Sequence, residues 1–171
     1  MSFILRKFDQ CSIIAGIFAA ILIFPLIGSM LWEVIARYLF SKPTIWAYEA
    51  AYMQMGAIFT LGIAYVTKHD AHVRVDLFYA NFSARLKACV NIFGNILAAP
   101  LILWLCFGLW EYFYDAFESG ERSGESLWNP YVWPARFIFW IGFLILAIET
   151  VSQFIKNVLF LLNDINENGV N

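Results

Sequence analysis

Charged residues are scarce in this chain of 171 residues: only 14% are Asp, Glu, Lys or Arg, whereas 61% are hydrophobic. A soluble domain usually carries about 25% charge, and a soluble fold of this size cannot hide so much apolar surface. A basic excess is also missing, since the net charge is −2. A nucleic-acid-binding protein requires a basic face, so that class is excluded.

Cysteine and histidine, the residues of disulfide, haem and many metal sites, number only three and two. Cys11, Cys89 and Cys106 lie inside or at the edge of apolar runs, without the spacing of a metal site. They are interpreted as small buried hydrophobic residues. Both histidines, His69 and His72, precede the third apolar run, whereas a four-helix haem protein needs histidines within its helices.

The two histidines do lie near Asp70 and Asp76, which invites interpretation as a metal site. Their spacing is short and no further ligands are evident, so an interfacial segment with wet polar side chains is favoured instead. The sequence contains no Ser–His–Asp arrangement, glycine-rich phosphate loop or cysteine cluster. It therefore predicts a protein that is not an enzyme and that has neither a cofactor nor a metal.

Four long apolar stretches make up most of the chain, at about residues 11–40, 45–66, 89–114 and 134–162. The hydrocarbon core of a bilayer is roughly 30 Å thick, which takes about 20 apolar residues in a helix. The runs are continuous rather than alternating, which favours helices over a β-barrel. The first is longer than the core of a secretory signal, so it is interpreted as an uncleaved span. We expect an all-α integral membrane protein whose residues 1–171 form a single four-helix membrane domain.

The distribution of Lys and Arg predicts the orientation, because cationic loops stay in the cytoplasm. Such residues precede the first span or separate the second from the third: Arg6, Lys7, Lys68, Arg74, Arg85 and Lys87. The opposite loops offer Lys42 and Arg122, and the longer of them, about residues 115–133, is acidic. Both termini are therefore expected in the cytoplasm. Tryptophans cluster at the predicted outer boundary, where indole rings prefer to lie: Trp32, Trp46, Trp110, Trp128 and Trp133.

Three charged residues lie near the junction of the first two spans: Glu33, Arg37 and Glu49. Glu33 and Arg37 are four residues apart, so their side chains meet on one helical face. One interpretation is a neutralised pair that lets the helix end approach the headgroups, since a lone charge in lipid is expensive. The other adds Glu49 and treats the three as a polar cluster that holds the hairpin and contacts a partner helix. Both interpretations stay open.

Glu149 lies about fifteen residues into the last span, well inside the hydrocarbon layer at 1.5 Å per residue. An acid at this depth is a candidate functional residue. It is interpreted either as a protonated carboxyl bonded within its helix or as the partner of a cation on another subunit. No basic residue of this chain is expected at the same depth, and a single acid without a relay partner gives little support for ion coupling.

Two short motifs lie beside the predicted spans, one at the junction of the first and second spans and one after the second span. The first runs from Arg37-Tyr38-Leu39-Phe40 through Pro43 and Trp46 to Glu49, and the second is His72-Val73-Arg74-Val75-Asp76. With these motifs the chain, from about Arg6 to Phe160, resembles the small membrane subunit of tripartite ATP-independent periplasmic (TRAP) transporters, the DctQ family. Trp128-Asn129-Pro130, followed by Trp133-Pro134, is similar to a branch of that family with a longer loop before the fourth helix. Glu149 departs from the family pattern, and no role is transferred to it.

The resemblance implies an accessory subunit of a tripartite importer in a bacterial or archaeal inner membrane. In such a system a periplasmic solute-binding protein (DctP-like) captures a carboxylate or another organic acid, and a large membrane subunit (DctM-like) carries it inward with sodium. The small subunit holds the large one in the lipid membrane and helps to dock the binding protein. Structural and partner contacts are then expected at Glu33, Arg37, Trp46, Glu49 and Trp133 near the outer face and at His72, Arg74 and Asp76 near the inner face.

Two other functions remain open. A stand-alone proton-coupled exporter of the four-helix multidrug type would use Glu33 as its acid, although such acids belong at mid-membrane and Glu33 lies near a span end. A tetraspanin-like structural or signalling protein would need disulfide-forming cysteines in the outer loop, and residues 115–133 contain none.

Overall fold

Each predicted apolar run forms an α-helix in the computed structural model, which describes residues 2–68 and 82–168, with side chains over 6–68 and 82–162. The helices are α1 (Ser2–Tyr38), α2 (Ala47–Lys68), α3 (Ala84–Ser119) and α4 (Trp133–Asn168). All four contain segments long and apolar enough to cross a membrane: Arg6–Tyr38, Ala47–Lys68, Ala84–Ser119 and Trp133–Leu162. The all-α membrane fold with four spans is confirmed.

The third helix is longer than the apolar run from which it was predicted. It begins after Ser83, whose hydroxyl accepts a hydrogen bond from the backbone N–H of Leu86 (3.3 Å). It ends at Gly120, which adopts the left-handed conformation (φ +64°) and donates its N–H to the carbonyl of Ala116. Residues 115–119, expected to be loop, are therefore helical. An apolar run marks the part of a helix in lipid, whereas backbone hydrogen bonding continues into water until a cap ends it.

Helix α4 is the central element of the fold. It packs against α1, α2 and α3, and α1 also packs against α2. Among the described residues, α3 packs extensively against α4 alone. The apolar core lies where α1, α2 and α4 meet, and Ala15, Ala19 and Leu61 pack there beside Ile138 and Ile141.

Small and polar side chains occupy the interior, while large apolar side chains point outward. The largest fully buried side chains are Ser12, Glu49, Glu149 and Ser152. By contrast, Trp104 is 73% exposed. Lipid tails are as apolar as these outward-facing side chains, so helix association in a membrane depends on close packing and polar contacts instead.

Close helix packing depends on glycine at particular positions. A Cβ atom on Gly142 of α4 would lie 2.6 Å from the backbone of Thr60 on α2. A Cβ on Gly56 of α2 would lie 2.5 Å from the ring of Phe139. A Cβ on Gly16 of α1 would likewise lie 2.6 Å from the side chain of Tyr65 on α2, whereas four helix glycines face open space: Gly28, Gly62, Gly94 and Gly108. The α2–α4 crossing is therefore set by glycine from both sides.

Candidate functional site at the ends of the helices

Polar contacts join the helices at both ends of the fold. The end that carries residues 39–46 and 120–132 is the loop end, where Glu49 Oε1 accepts a hydrogen bond from Ser123 Oγ (2.8 Å). The opposite end is the terminal end, where the beginning of α1 lies beside the last part of α4. There Lys156 Nζ lies 2.6 Å from Asp9 Oδ1.

Glu33 connects the end of α1 to the beginning of α2. Its Oε1 atom accepts hydrogen bonds from Arg37 Nε (2.9 Å) and Nη2 (2.5 Å). Its Oε2 atom accepts from the backbone N–H of Thr44 (2.8 Å) and from the Thr44 hydroxyl. The Thr44 hydroxyl in turn accepts from the N–H of Ala47, the first residue of α2 (3.3 Å). Glu33, which is only 7% exposed, thus orders the short turn and the start of the next helix, and the more exposed Arg37 neutralises its charge.

Glu49 makes its contact elsewhere. Among the described residues its hydrogen-bond partner is Ser123 in the loop before α4, rather than a member of the Glu33–Arg37 pair. The carboxylate is 1% exposed, and its second oxygen, Oε2, is buried without a hydrogen-bond partner among the described residues. Glu49 lies in the first turn of α2, where backbone N–H groups have no partner within the helix.

Arg136 forms the most extensively bonded charged contact of the loop end, and the sequence did not single it out as a site residue. Its Nη1 and Nη2 atoms lie 2.6 Å from the two carboxylate oxygens of Glu121. Nη1 also donates to the carbonyl of Tyr112 (3.2 Å), and the guanidinium lies over the Tyr112 ring at 3.5 Å. These bonds from Arg136 hold the pKa of the Glu121 carboxyl below its usual value. Sequence spacing offers no signal for this pair, because the loop conformation brings the two residues together.

The loop of residues 120–132 has a defined hairpin-like conformation. Its two sides are joined by a bridge between Arg122 and Tyr131. The Arg122 guanidinium donates to the Tyr131 hydroxyl (3.0 Å), and Gly124 N–H donates to the Asn129 side chain (2.9 Å). At the tip, Leu127 is 88% exposed. The loop thus presents an apolar tip on an ordered, acidic base.

The two predicted tryptophan contacts differ in their surroundings. Trp46, just before α2, is exposed. Trp133, the first residue of α4, is half-buried and meets the ring of Phe117 edge to face at 5.5 Å. Trp133 therefore helps to join α4 to α3 within the chain.

Glu149 is fully buried and is hydrogen-bonded inside the chain. Its Oε2 accepts from Ser12 Oγ on α1 (2.7 Å), and its Oε1 accepts from Gln153 Nε2 (3.0 Å). The Gln153 amide also donates to the carbonyl of Lys68 at the end of α2 (3.3 Å). The exposed fraction of Glu149 is 0%, so the expected alternative of a cation from another subunit has no surface to reach. Glu149 instead links α1 and α4, and through Gln153 it reaches α2.

The remaining predicted site residues, His72, Arg74 and Asp76, lie outside the described residues, as does the segment with His69 and Asp70. Over residues 2–68 and 82–168, no group of three His, Cys, Asp or Glu side chains is placed to hold a metal ion.

Comparison with known proteins identifies the family. The family model for the DctQ component of tripartite ATP-independent periplasmic transporters matches residues 26–160, which is most of the chain. No curated protein matches the sequence. The matched region includes the end of α1, the whole of α2 and α3, and most of α4. The chain therefore belongs to the DctQ family, as a multi-pass membrane subunit of a TRAP transporter and not an enzyme.

Proposed function

We propose that this chain is the accessory small subunit of a sodium-coupled importer of carboxylates or other organic acids. It holds a DctM-like large membrane subunit in the lipid membrane and helps to dock a DctP-like periplasmic binding protein. In this proposal it lies in a bacterial or archaeal inner membrane with both termini in the cytoplasm, so that the loop end faces the periplasm.

The observation that carries the proposal is that the buried acid of the last span is hydrogen-bonded inside the chain. Glu149 is 0% exposed and bonds to Ser12 and Gln153 of the same chain. A protein that moves a polar solute by itself must present polar groups to a path through the membrane. Here the buried acid joins helices instead, which supports a scaffold rather than a carrier.

The outer surfaces of α1 and α3 support contact with another membrane protein. Phe24 on α1 is 76% exposed, and Trp104 and Phe107 on α3 are 73% and 71% exposed. Helix α3 packs extensively on α4 alone, so most of its circumference is available within the described chain. These faces are the proposed contacts with the large subunit, and the exposed Leu127 at the loop tip is the proposed contact with the binding protein.

A proton-coupled exporter would use Glu33 as its proton-carrying acid, but the carboxylate of Glu33 is bonded within the chain. Its two carboxylate oxygens are occupied by Arg37 and Thr44 at the end of α1. A proton-carrying acid must exchange with both sides of the membrane, whereas this carboxylate orders a turn. The scaffold proposal is therefore favoured over the exporter.

Reconstitution tests the proposal directly. We expect proteoliposomes that contain the chain alone to show no uptake, and vesicles that also contain the large subunit to take up solute when binding protein and a sodium gradient are supplied. Transport by the chain alone would overturn the proposal. The tagged chain, purified in mild detergent, should also bring down a large multi-span subunit that mass spectrometry can identify.

Photo-crosslinking locates the contact face. A photoreactive amino acid at Trp104 of α3, or at Phe24 of α1, is expected to cross-link to the large subunit. The matched control is Ala64 of α2, which is 0% exposed and has no outward surface. Cross-links from neither exposed position, in a complex that still co-purifies, would exclude both proposed faces.

A further inference from the structure

A cavity of about 540 Å³ lies at the loop end, among the first turns of α2, the last part of α3 and the first turns of α4. Its walls carry three tyrosines, two on α2 and one on α3: Tyr48, Tyr52 and Tyr112. The loop contributes Ser123 and Glu125. The established family membership assigns no ligand to this cavity, and neither does the proposed function.

The 120–132 loop forms one wall of the cavity, and helices α2 and α3 flank it on either side. Helices α2 and α3 both pack against α4, but over the described residues they have no extensive contact with each other. Both helices are long and apolar enough to cross a membrane, so an opening between them would face the bilayer, and residues of the 120–132 loop line the cavity at the helix ends. Phe139 in the cavity wall lies six residues after the start of α4, about 9 Å along its axis. That depth corresponds to the headgroup region and the upper part of the acyl chains, where interfacial residues lie.

Excess negative charge surrounds the cavity. Arg136 is in the wall, but its guanidinium is paired with Glu121 through two hydrogen bonds of 2.6 Å. Glu125 in the wall adds a further carboxylate. Glu49 is outside the wall but accepts a hydrogen bond from Ser123 of the wall, and its Oε2 atom is buried without a hydrogen-bond partner among the described residues. Beyond the carboxylate that Arg136 neutralises, the wall therefore carries one more, that of Glu125.

Tyrosine rings and carboxylates together favour an organic cation. Tyr52 and Glu125 line the same cavity, and the ring centre of Tyr52 is 6.3 Å from that of Tyr48. Aromatic faces attract ammonium groups through their negative quadrupole. Carboxylates accept hydrogen bonds, so they favour an ammonium that has N–H donors over one that is fully methylated.

We propose that this cavity binds the headgroup of a lipid with a primary ammonium, such as phosphatidylethanolamine. The ammonium donates hydrogen bonds to Glu125 and lies against Tyr48 and Tyr52. The phosphate accepts from the tyrosine hydroxyls at the rim, and the acyl chains leave through the gap between α2 and α3. The opening toward the bilayer favours a lipid over a cationic side chain of a soluble partner, which would have to pass the loop.

Lipid retention by the full-length chain tests the proposal without any partner subunit. The chain is reconstituted in nanodiscs with equal amounts of phosphatidylethanolamine, phosphatidylcholine and phosphatidylglycerol, then extracted in mild detergent, and the retained lipid is measured by native mass spectrometry. Phosphatidylethanolamine is expected to be enriched over both other lipids. Glu125→Gln and Tyr52→Leu are each expected to lower that enrichment by about fivefold or more, the size of one lost charge-assisted contact.

The matched control is Glu118→Gln, an exposed acid on α3 near the same end that is not part of the cavity wall. This variant is expected to keep the enrichment of the unaltered chain. Equal retention of the three lipids, or enrichment that Glu125→Gln leaves unchanged, would overturn the proposal. Loss of the lipid when the chain is purified with the large subunit would also overturn it, in favour of a partner side chain as the occupant. Because the first measurement uses the chain alone, its failure says nothing about the proposed scaffold function.

Discussion

Arg136 and Glu121 form a bidentate ion pair that joins the beginning of α4 to the residue just after Gly120, the C-cap of α3. Each of the two terminal guanidinium nitrogens lies 2.6 Å from one carboxylate oxygen. The Arg136 side chain is 9% exposed and the Glu121 side chain 45% exposed. The pair thus helps to order the 120–132 loop at the loop end.

The pair predicts a pH dependence of stability. The pKa of Glu121 is lower in the folded state than in the unfolded chain, so the unfolded state binds more protons in acid. The stabilisation is therefore complete above the unfolded pKa and is lost as pH falls through the lowered folded pKa. Glu121→Gln is expected to have a lower Tm than the unaltered chain at neutral pH, with a difference that shrinks below about pH 4. Thermal unfolding in detergent across pH measures this.

The matched control for this prediction is again Glu118→Gln, whose carboxylate is exposed on the last turn of α3. Its Tm should follow that of the unaltered chain at every pH. A difference between Glu121→Gln and the unaltered chain that does not change with pH would contradict the assignment of the effect to ionisation of Glu121.

Glu149 is expected to stabilise the contact between α1 and α4. Glu149→Leu removes the acceptor for Ser12 and Gln153, so the buried Ser12 hydroxyl keeps only a 3.5 Å contact with the carbonyl of Phe8, at a cost of about 1–2 kcal/mol. Glu149→Gln keeps a polar acceptor and should cost less. The free energy of unfolding in mixed micelles measures both. A Glu149→Leu variant as stable as the unaltered chain would remove this residue from the helix contact.

Gly142 is expected to be intolerant of even one added carbon. Gly142→Ala would place Cβ 2.6 Å from the backbone of Thr60, so α2 and α4 must move apart, at a cost of about 1–3 kcal/mol. The matched variant is Gly108→Ala on α3, where the new Cβ meets open space. Its effect should stay within about 0.5 kcal/mol. Equal effects of the two substitutions on the free energy of unfolding would show that close packing at Thr60 does not limit the α2–α4 crossing.

Substitutions of Glu33 and Arg37 are expected to differ in effect, because Glu33 makes structural hydrogen bonds within the chain whereas Arg37 is a proposed partner contact. Glu33→Ala removes the acceptor for the Thr44 backbone as well as for Arg37, so it should lower the Tm of the isolated chain. The Arg37 side chain is 58% exposed, so Arg37→Ala should change that Tm little. If Arg37 contacts a partner, Arg37→Ala will instead reduce uptake and co-purification of the large subunit. Unchanged uptake and co-purification would exclude that contact.

The helices were predictable because each is marked by a property of a continuous segment. An apolar run of sufficient length, such as residues 134–162, indicates a span whatever surrounds it. The Glu33–Arg37 pair was predictable for the same reason, since four residues of separation place two side chains on one helical face. The end of α3 was not, because the apolar run stops before Gly120 terminates the helix.

Contacts between distant segments of the chain could not be predicted from the sequence in this way. One of the two interpretations left open by the sequence placed Glu49 in a cluster with Glu33 and Arg37, because all three lie near one turn of the chain. The loop before α4 instead brings Ser123 to its carboxylate, from 74 residues away. Arg136 and Glu121 meet because the 120–132 loop doubles back through the Arg122–Tyr131 bridge. Neither loop conformation leaves a periodic signal in the sequence.

The amino-acid sequence by itself determined the membrane class, the number of predicted spans and the motifs that resemble the DctQ family, since length, hydrophobicity and short spacings are local properties. Tertiary structure decided which helix is central, where Glu149 finds its hydrogen bonds, and that α2 and α3 leave a tyrosine-lined cavity between them. Those features arise from the way helices cross, and a crossing depends on atoms from two segments at once, such as Gly142 against Thr60.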